Sequence, residues 1–279
     1  MSGKLIFLDI DGTLTPPGGN VPPESAIRAI RSAREAGHKV FLCTGRNYDM
    51  LSPLLRYGFD GAVASGGGYV FIGDRVIYDC PMTEEQKDRA LELFARGGVL
   101  RTIEARDASY CDEGMGEFLR QRSGGNSELM RWRQAVEKDL GIRPMGEYDG
   151  RPIYKVVFMC AEIGQLAPAI RELEKDFYFL VQDMEGADCL NGELINRQFD
   201  KGTGVRRVCE ALCYAPEDAV GFGDSMNDLE MIQTVGTGVC MANGSANLKK
   251  FCDLVCPGVE EDGLAWAFRE LGFVKSDKK

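Results

Sequence analysis

The sequence predicts an α/β fold, a largely parallel sheet with helices on both faces, interrupted by an inserted α+β block; three observations carry that prediction. Short apolar runs alternate with amphipathic stretches at both ends of the chain, as βαβ units do. That alternation breaks near Pro81 and resumes after Lys201. At 279 residues the chain exceeds one typical domain, so two cores are the natural expectation.

Lys4–Ile10 is an apolar run closed by Asp11-Gly12, which reads as a buried parallel strand followed by a loop. Pro22-Pro23-Glu24 opens a periodic helix over Ser25–Ala36, Gly37 stops it, and the strand Lys39–Cys43 follows. A helix (Asn47–Tyr57), a strand (Gly61–Ala64) and a hairpin (Tyr69–Ile72, Val76–Tyr78, turning at Gly73-Asp74) complete the first segment. The middle block offers a helix (Glu84–Arg96), a strand (Val99–Ala105), an irregular Gly-rich stretch and a helix (Glu128–Leu140). The apolar stretches Ile153–Cys160, Ile163–Lys175 and Phe177–Gln182 close that block. Helices at Lys201–Leu212, Met226–Val235, Ser245–Phe251 and Glu261–Leu271 then alternate with strands at Ala219–Phe222 and Gly238–Met241. Residues 1–81 and 191–279 therefore read as one Rossmann-like core, and 82–190 as an inserted α+β domain. Lys275–Lys279 is a polar tail.

A net charge of -10 and a pI near 4.9 disfavour nucleic acid as a partner, since gripping a phosphate backbone needs clustered Lys and Arg. The opening MSGKLIFL runs straight into acidic residues, and no apolar stretch of ~20 residues follows anywhere, so a soluble cytoplasmic protein is expected. Ten cysteines are scattered from Cys43 to Cys256, mostly within apolar segments. The pairs Cys209/Cys213 and Cys252/Cys256 lack the Gly-rich knuckle of a zinc site, so buried thiols are expected. His38, the single histidine, falls in a helix-to-strand turn and reads as a surface residue. Its isolation excludes histidine-based phosphoryl chemistry and serine triads.

The chemistry-bearing residues lie where apolar strands end. Asp9-Ile10-Asp11-Gly12-Thr13-Leu14 follows the first strand, at the carboxyl edge where open α/β sheets bind ligands. One carboxylate can attack phosphorus while the other donates a proton to the leaving oxygen and later activates water. Paired like charges call for a cation, and magnesium suits both carboxylate and phosphate oxygens. Gly223-Asp224-Ser225-Met226-Asn227-Asp228 follows another apolar strand and would supply the remaining ligands. Thr44-Gly45-Arg46 offers a hydroxyl and backbone N–H groups to phosphate oxygens, and Lys201 a point charge at a helix start. Each has a plainer explanation: Asp-Gly is a common turn, Thr44 can cap a helix, and Asp228 suits a first helical turn. Arg46 is as well explained by an internal salt bridge as by an acidic substrate group, and the Ser65–Gly68 run by a flexible turn.

With DIDGTL, TGR, the lone lysine of FDKGTG and GDSMND in this order, the chain resembles the haloacid dehalogenase superfamily, within it the Cof-type phosphatases with a large inserted cap. The resemblance spans nearly the whole chain. It implies Asp9 as nucleophile and metal ligand, and Asp11 as acid/base whose backbone carbonyl also meets the metal. Asp224 would complete the metal's protein ligands, and Asp228 orient or join them. Thr44, Gly45 and Lys201 would hold phosphoryl oxygens, and Asn227 would bond the phosphate when the cap closes. Met241-Ala242-Asn243-Gly244 and Glu261-Asp262-Gly263 resemble family landmarks of the scaffold. Ser65-Gly66-Gly67-Gly68 and Asn243-Gly244 depart from the family's usual Asn-Gly and Asn-Ala, outside the catalytic set.

The activity so implied is magnesium-dependent hydrolysis of small phosphorylated metabolites, of sugar phosphate or pyridoxal phosphate type, by a monomer or weak dimer. The cap would exclude bulk water and choose the leaving group, with Asp107, Asp112 and Glu113 placed to meet sugar hydroxyls. Two alternatives stay open: a phosphomutase using the same Asp pair, marked by transfer without free phosphate, and a non-catalytic sensor, marked by tight binding without turnover.

Overall fold

In the computed structural model, which describes residues 3–122, 141–182 and 189–274, the apolar run Leu5–Leu8 is a fully buried strand, β1. It pairs in parallel with β2 (Lys39–Cys43) on one side and with Ala219–Gly223 on the other. Outward from β2 come β3 (Gly61–Ala64), parallel, then the antiparallel β4 (Tyr69–Ile72) and β5 (Arg75–Asp79). On the far side of Ala219–Gly223 lie Thr237–Met241 and Leu254–Cys256, both parallel. The eight-stranded sheet thus reverses its winding beside β1, the switch point at which such sheets open a crevice at their carboxyl edge.

Strand alternation sends Leu5 and Phe7 to one face, where Val205 and Val208 of the helix Lys201–Leu212 cover them. The opposite face takes the helix Gly263–Glu270, whose Phe268 meets Phe222 with ring centroids 5.5 Å apart. Each large apolar side chain buried this way contributes roughly 1.5–3 kcal/mol. Phe7 and Phe41 on adjacent strands stack at 5.3 Å.

Residues 80–198 form a second compact unit, separate from the first made by 1–79 and 199–279. Among the described residues its six strands are β6 (Leu100–Ala105), β7 (Ser109–Cys111), β8 (Ile142–Pro144), β9 (Ile153–Cys160), β10 (Phe177–Gln182) and β11 (Leu190–Asn196). They run in the order β10-β11-β9-β6-β7-β8. The helices Glu84–Arg96 and Ala167–Leu173 pack on one face through Phe94, Leu173, Ile103, Val156, Phe158 and Leu194. A capping box between Thr83 and Gln86 starts the first of them.

Several expected elements differ. The irregular stretch after β6 contains β7 and a helix, Met115–Arg122. The expected helix Glu128–Leu140 and the tail Lys275–Lys279 lie outside the described residues. Strand β11 starts at the expected domain boundary of 190 and pairs between β9 and β10; Asn191, Gly192, Glu193 and Asn196 hide its apolar alternation. The Asn47–Tyr57 helix shrinks to a 3₁₀ turn, Asp49–Leu51, and the short helix Ser52–Leu55. Ser245–Phe251 is only a 3₁₀ turn at Leu248–Phe251, and the strand Leu254–Cys256 follows it.

Two of the three acidic residues expected to meet sugar hydroxyls already have cationic partners inside the second unit. Asp112 accepts from Arg101 Nε at 2.8 Å and Nη2 at 2.9 Å, and Asp107 pairs with Arg151 at 2.9 Å. Glu113 is exposed. All ten cysteines are free thiols, most of them buried. His38 is half-buried, its Nδ1 accepting the Lys4 N–H at 3.0 Å and its ring tilted against Phe273 at 5.1 Å. Among the described residues no helix is long and apolar enough to cross a membrane.

Candidate active site

Asp9 lies one residue past the end of β1, its backbone N–H continuing the ladder to Phe222 at 2.9 Å, so its carboxylate stands at the switch point of the sheet. Asp224 follows the neighbouring strand Ala219–Gly223, which brings the two acidic loops together. One carboxylate oxygen from each of Asp9, Asp224 and Asp228 lies within 4.8 Å of the other two. Gly12, at φ +86°, makes that approach possible, for a Cβ there would sit 2.5 Å from Asp224 Oδ2. Asn243 steadies the same loop, donating to the Gly12 carbonyl at 2.8 Å and accepting the Val259 N–H at 3.0 Å.

Lys201 Nζ reaches into this cluster, 2.7 Å from Asp9 Oδ1 and 2.6 Å from Asp228 Oδ1. A cation in the first turn opposes the helix dipole, and here it is offset by those carboxylates and by the Asp200 cap, which accepts the Thr203 N–H at 2.6 Å. Glycines seat the helix: a Cβ on Gly202 would meet Glu230 O at 2.4 Å, and one on Gly204 would meet Val63 Cγ1 at 2.4 Å.

The electrostatics follow from three carboxylates set against one ammonium, with Asp9, Asp228 and Lys201 buried and Asp224 half-buried. Burial pushes the Asp9 carboxyl well above its ordinary range; Lys201 pulls it down, and Asp228 and Asp224 push it further up. Burial works against the Lys201 ammonium, but Asp228 and Asp9 outweigh it and hold the lysine charged. The donor set is hard oxygen with more negative than positive charge, which fits a divalent cation held by Asp9 and Asp224. Asp228 is fully buried and already engaged: Oδ1 takes Lys201, and Oδ2 accepts the N–H groups of Asp224 at 3.0 Å and Ser225 at 3.1 Å.

The other expected residues sort as follows. Thr44, at the end of β2, is buried, and its Oγ1 accepts the Arg46 N–H at 3.1 Å. The helix-capping explanation for it falls to Asn47 instead, whose Oδ1 accepts the Met50 N–H at 3.1 Å. Gly45 is half-buried beside it. Asn227 is exposed, with Oδ1 3.4 Å from Lys201 Nζ and 2.8 Å from Ser225 Oγ. The Asp11 side chain is not in the carboxylate cluster, and Arg46 clasps it.

Of the two glycine departures, the run at 65–68 packs beside the catalytic aspartates without touching them, and Gly244 meets the backbone of Asp224. Gly67, at φ +109°, would carry a Cβ 2.2 Å from Asp200 O, and Gly68 one 2.7 Å from the Phe199 ring, so this run seats the segment leading to Lys201. A Cβ on Gly244 would fall 2.6 Å from Asp224 O and 2.9 Å from Cys240 Sγ, which accounts for glycine in place of alanine. Neither contact has a signal in sequence, since each joins loops far apart along the chain.

A model of the haloacid dehalogenase-like hydrolase family matches residues 6–268. YkrA of Bacillus subtilis is 29% identical over 276 residues, covering 99% of this chain and 100% of its own. The pyridoxal phosphate phosphatase YbhA of Escherichia coli is 24% identical over 283 residues, covering 95% of this chain and 97% of its own. The crystal structure of a Geobacillus kaustophilus protein superposes with a TM-score of 0.80 at 25% identity, covering 98% of this chain and 100% of that one. A family match across almost the whole length, on a switch-point sheet with an acidic cluster at its carboxyl edge, leaves one assignment: the chain belongs to the haloacid dehalogenase-like hydrolases.

Proposed function

We propose that this hydrolase is a magnesium-dependent phosphatase of small phosphorylated metabolites, working through an aspartyl phosphate on Asp9. The observation that carries the reading is the buried Asp9 carboxylate, clustered with Asp224 and Asp228 and paired with Lys201 at the switch point. Asp9 attacks phosphorus in line, and the bond from phosphorus to the ester oxygen breaks as Asp11 passes its proton to that oxygen. Asp11 then takes a proton from water, whose oxygen attacks phosphorus, and Asp9 is released with inorganic phosphate.

Lys201 and Thr44, with the Gly45 N–H and Asn227, hold the phosphoryl oxygens. Asp228 keeps Lys201 in place and orients or joins the metal's shell, its oxygens accepting from Lys201 and from the N–H groups of Asp224 and Ser225. Magnesium, held by Asp9, Asp224 and the Asp11 carbonyl, supplies neutralisation of phosphate charge when bound. General acid help contributes about 10²–10⁴ of an acceleration that can approach ~10²¹, so charge stabilisation and positioning carry most of it.

The unit 80–198 chooses the leaving group, of sugar phosphate or pyridoxal phosphate type; the likeness to YbhA, a pyridoxal phosphate phosphatase, supports the second. A panel of phosphate esters assayed with magnesium, then with chelator, tests the reading. Turnover is expected with the metal, none with chelator, and none from Asp9→Asn. Unchanged hydrolysis by Asp9→Asn, or no hydrolysis of any ester by the unaltered protein, would refute it.

A further inference from the structure

Four parallel strands lie side by side in the middle of the first unit's sheet, and the residue that follows each of them is polar: Asp224 after Ala219–Gly223, Asp9 after β1, Thr44 after β2 and Ser65 after β3. The first three have roles in the reading above; Ser65 has none. Ser65 is 2% exposed, as deeply buried as Asp9 at 5%, Thr44 at 1% and Lys201 at 3%, and its Oγ has no hydrogen-bond partner in the protein. A buried hydroxyl left unpaired costs stability. The backbone adds a second cost, for φ at Ser65 is +50°, in the left-handed region that a residue with a Cβ rarely occupies. The turn that carries Ser65 also joins the two segments read as gripping phosphate. The Ser65 N–H donates to Arg46 O at 2.8 Å and the Gly66 N–H to Thr44 O at 2.9 Å, which fastens the turn to Thr44-Gly45-Arg46. On its other side Gly67 lies so close to the Asp200 carbonyl, directly before Lys201, that a Cβ would stand 2.2 Å from it.

We propose that Ser65 is a further phosphate-binding residue: its hydroxyl donates to an oxygen of the phosphoryl group held by Thr44 and Lys201. The proposal rests on the site of the phosphatase reading above, though not on turnover. A left-handed backbone and an unpaired buried hydroxyl at one residue are the kind of local cost that collects at binding sites, where the ligand supplies the missing partner. A purely structural turn would be better served by glycine, which adopts this φ without strain and brings no hydroxyl to bury.

The test is binding of inorganic phosphate, with magnesium present, measured by isothermal titration calorimetry. Ser65→Ala keeps the Cβ and the strained backbone, Ser65→Gly relieves the backbone, and both remove the hydroxyl. Each is expected to bind phosphate about 10–100-fold more weakly than the unaltered protein, the worth of a hydrogen bond to a charged group, and the two losses should agree within about threefold. Melting within about 3 °C of the unaltered protein shows the variants to be folded. On an aryl and an alkyl phosphate ester kcat/KM should fall by a similar factor, because the contact is made to the phosphoryl group and not to the leaving group. Unchanged phosphate affinity in both variants, a loss confined to one of them, or a loss of kcat/KM on one ester alone would overturn the proposal while leaving the phosphatase reading intact. An unaltered protein that binds phosphate but hydrolyses no ester would sink the phosphatase reading and leave the comparison of affinities to decide on Ser65. One that binds no phosphate would overturn the proposal.

Discussion

Replacing Asp228 by alanine should destabilise the first unit before any substrate is considered. The carboxylate is fully buried and accepts from three donors: Lys201 Nζ at 2.6 Å and the N–H groups of Asp224 at 3.0 Å and Ser225 at 3.1 Å. Each buried donor left unpaired costs about 1–3 kcal/mol, and breaking a buried ion pair about 3–5 kcal/mol. Two features reduce the sum. Lys201 keeps Asp9 at 2.7 Å, and repulsion between Asp9 and Asp228 disappears. A net loss of roughly 3–5 kcal/mol follows, which corresponds to a fall of about 6–20 °C in Tm for a unit of this size. Asp228→Asn keeps an acceptor oxygen and the volume, so it should melt between the two. Differential scanning calorimetry at neutral pH with chelator present measures this. A melting point for Asp228→Ala within about 2 °C of the unaltered protein would refute the view that this carboxylate anchors the site.

Gly67→Ala forces a Cβ to 2.2 Å from Asp200 O at φ +109°, whereas Gly66, at φ +67°, has open space around it. Turnover should therefore fall at least tenfold for Gly67→Ala and less than about threefold for Gly66→Ala, and equal rates would contradict the packing argument. Burial, then the Lys4 charge, lowers the His38 pKa, so unfolding takes up protons in the window just below ~6.5. The contribution of His38 to stability is present above that value and lost as pH falls through the lower folded-state pKa. Titration of this single imidazole by NMR should give a midpoint below 6.5, and a midpoint above it would contradict the half-buried setting of the ring beside Lys4. Chelation followed by calorimetry should lower the first unit's melting temperature relative to protein with magnesium, because a ligand that binds only the folded cluster adds to its stability. Identical melts would count against a cation at these carboxylates.

The parts legible in sequence were those written as local patterns. Asp9 and Asp224 stand at the ends of apolar runs, and a parallel sheet wound outward from β1 brings such ends together. Lys201 stood out because a cation in a first helical turn needs a local reason. What stayed hidden depends on contacts between loops remote in sequence. Nothing local links Arg46 to Asp11, Gly67 to Asp200 or Asn243 to Gly12. Strand β11 escaped for another reason: Gly192 is required where a Cβ would meet the Phe158 ring at 2.4 Å, and it breaks the apolar pattern that marks a strand.

The covalent role of Asp9 can be read directly by quenching the enzyme with borohydride during turnover of a phosphate ester with magnesium, then mapping its peptides by mass spectrometry. An acyl phosphate is reduced by borohydride while a free carboxylate is not, so the account predicts homoserine at position 9, dependent on substrate. Steady turnover with Asp9 unreduced, or reduction at another carboxylate, would contradict it.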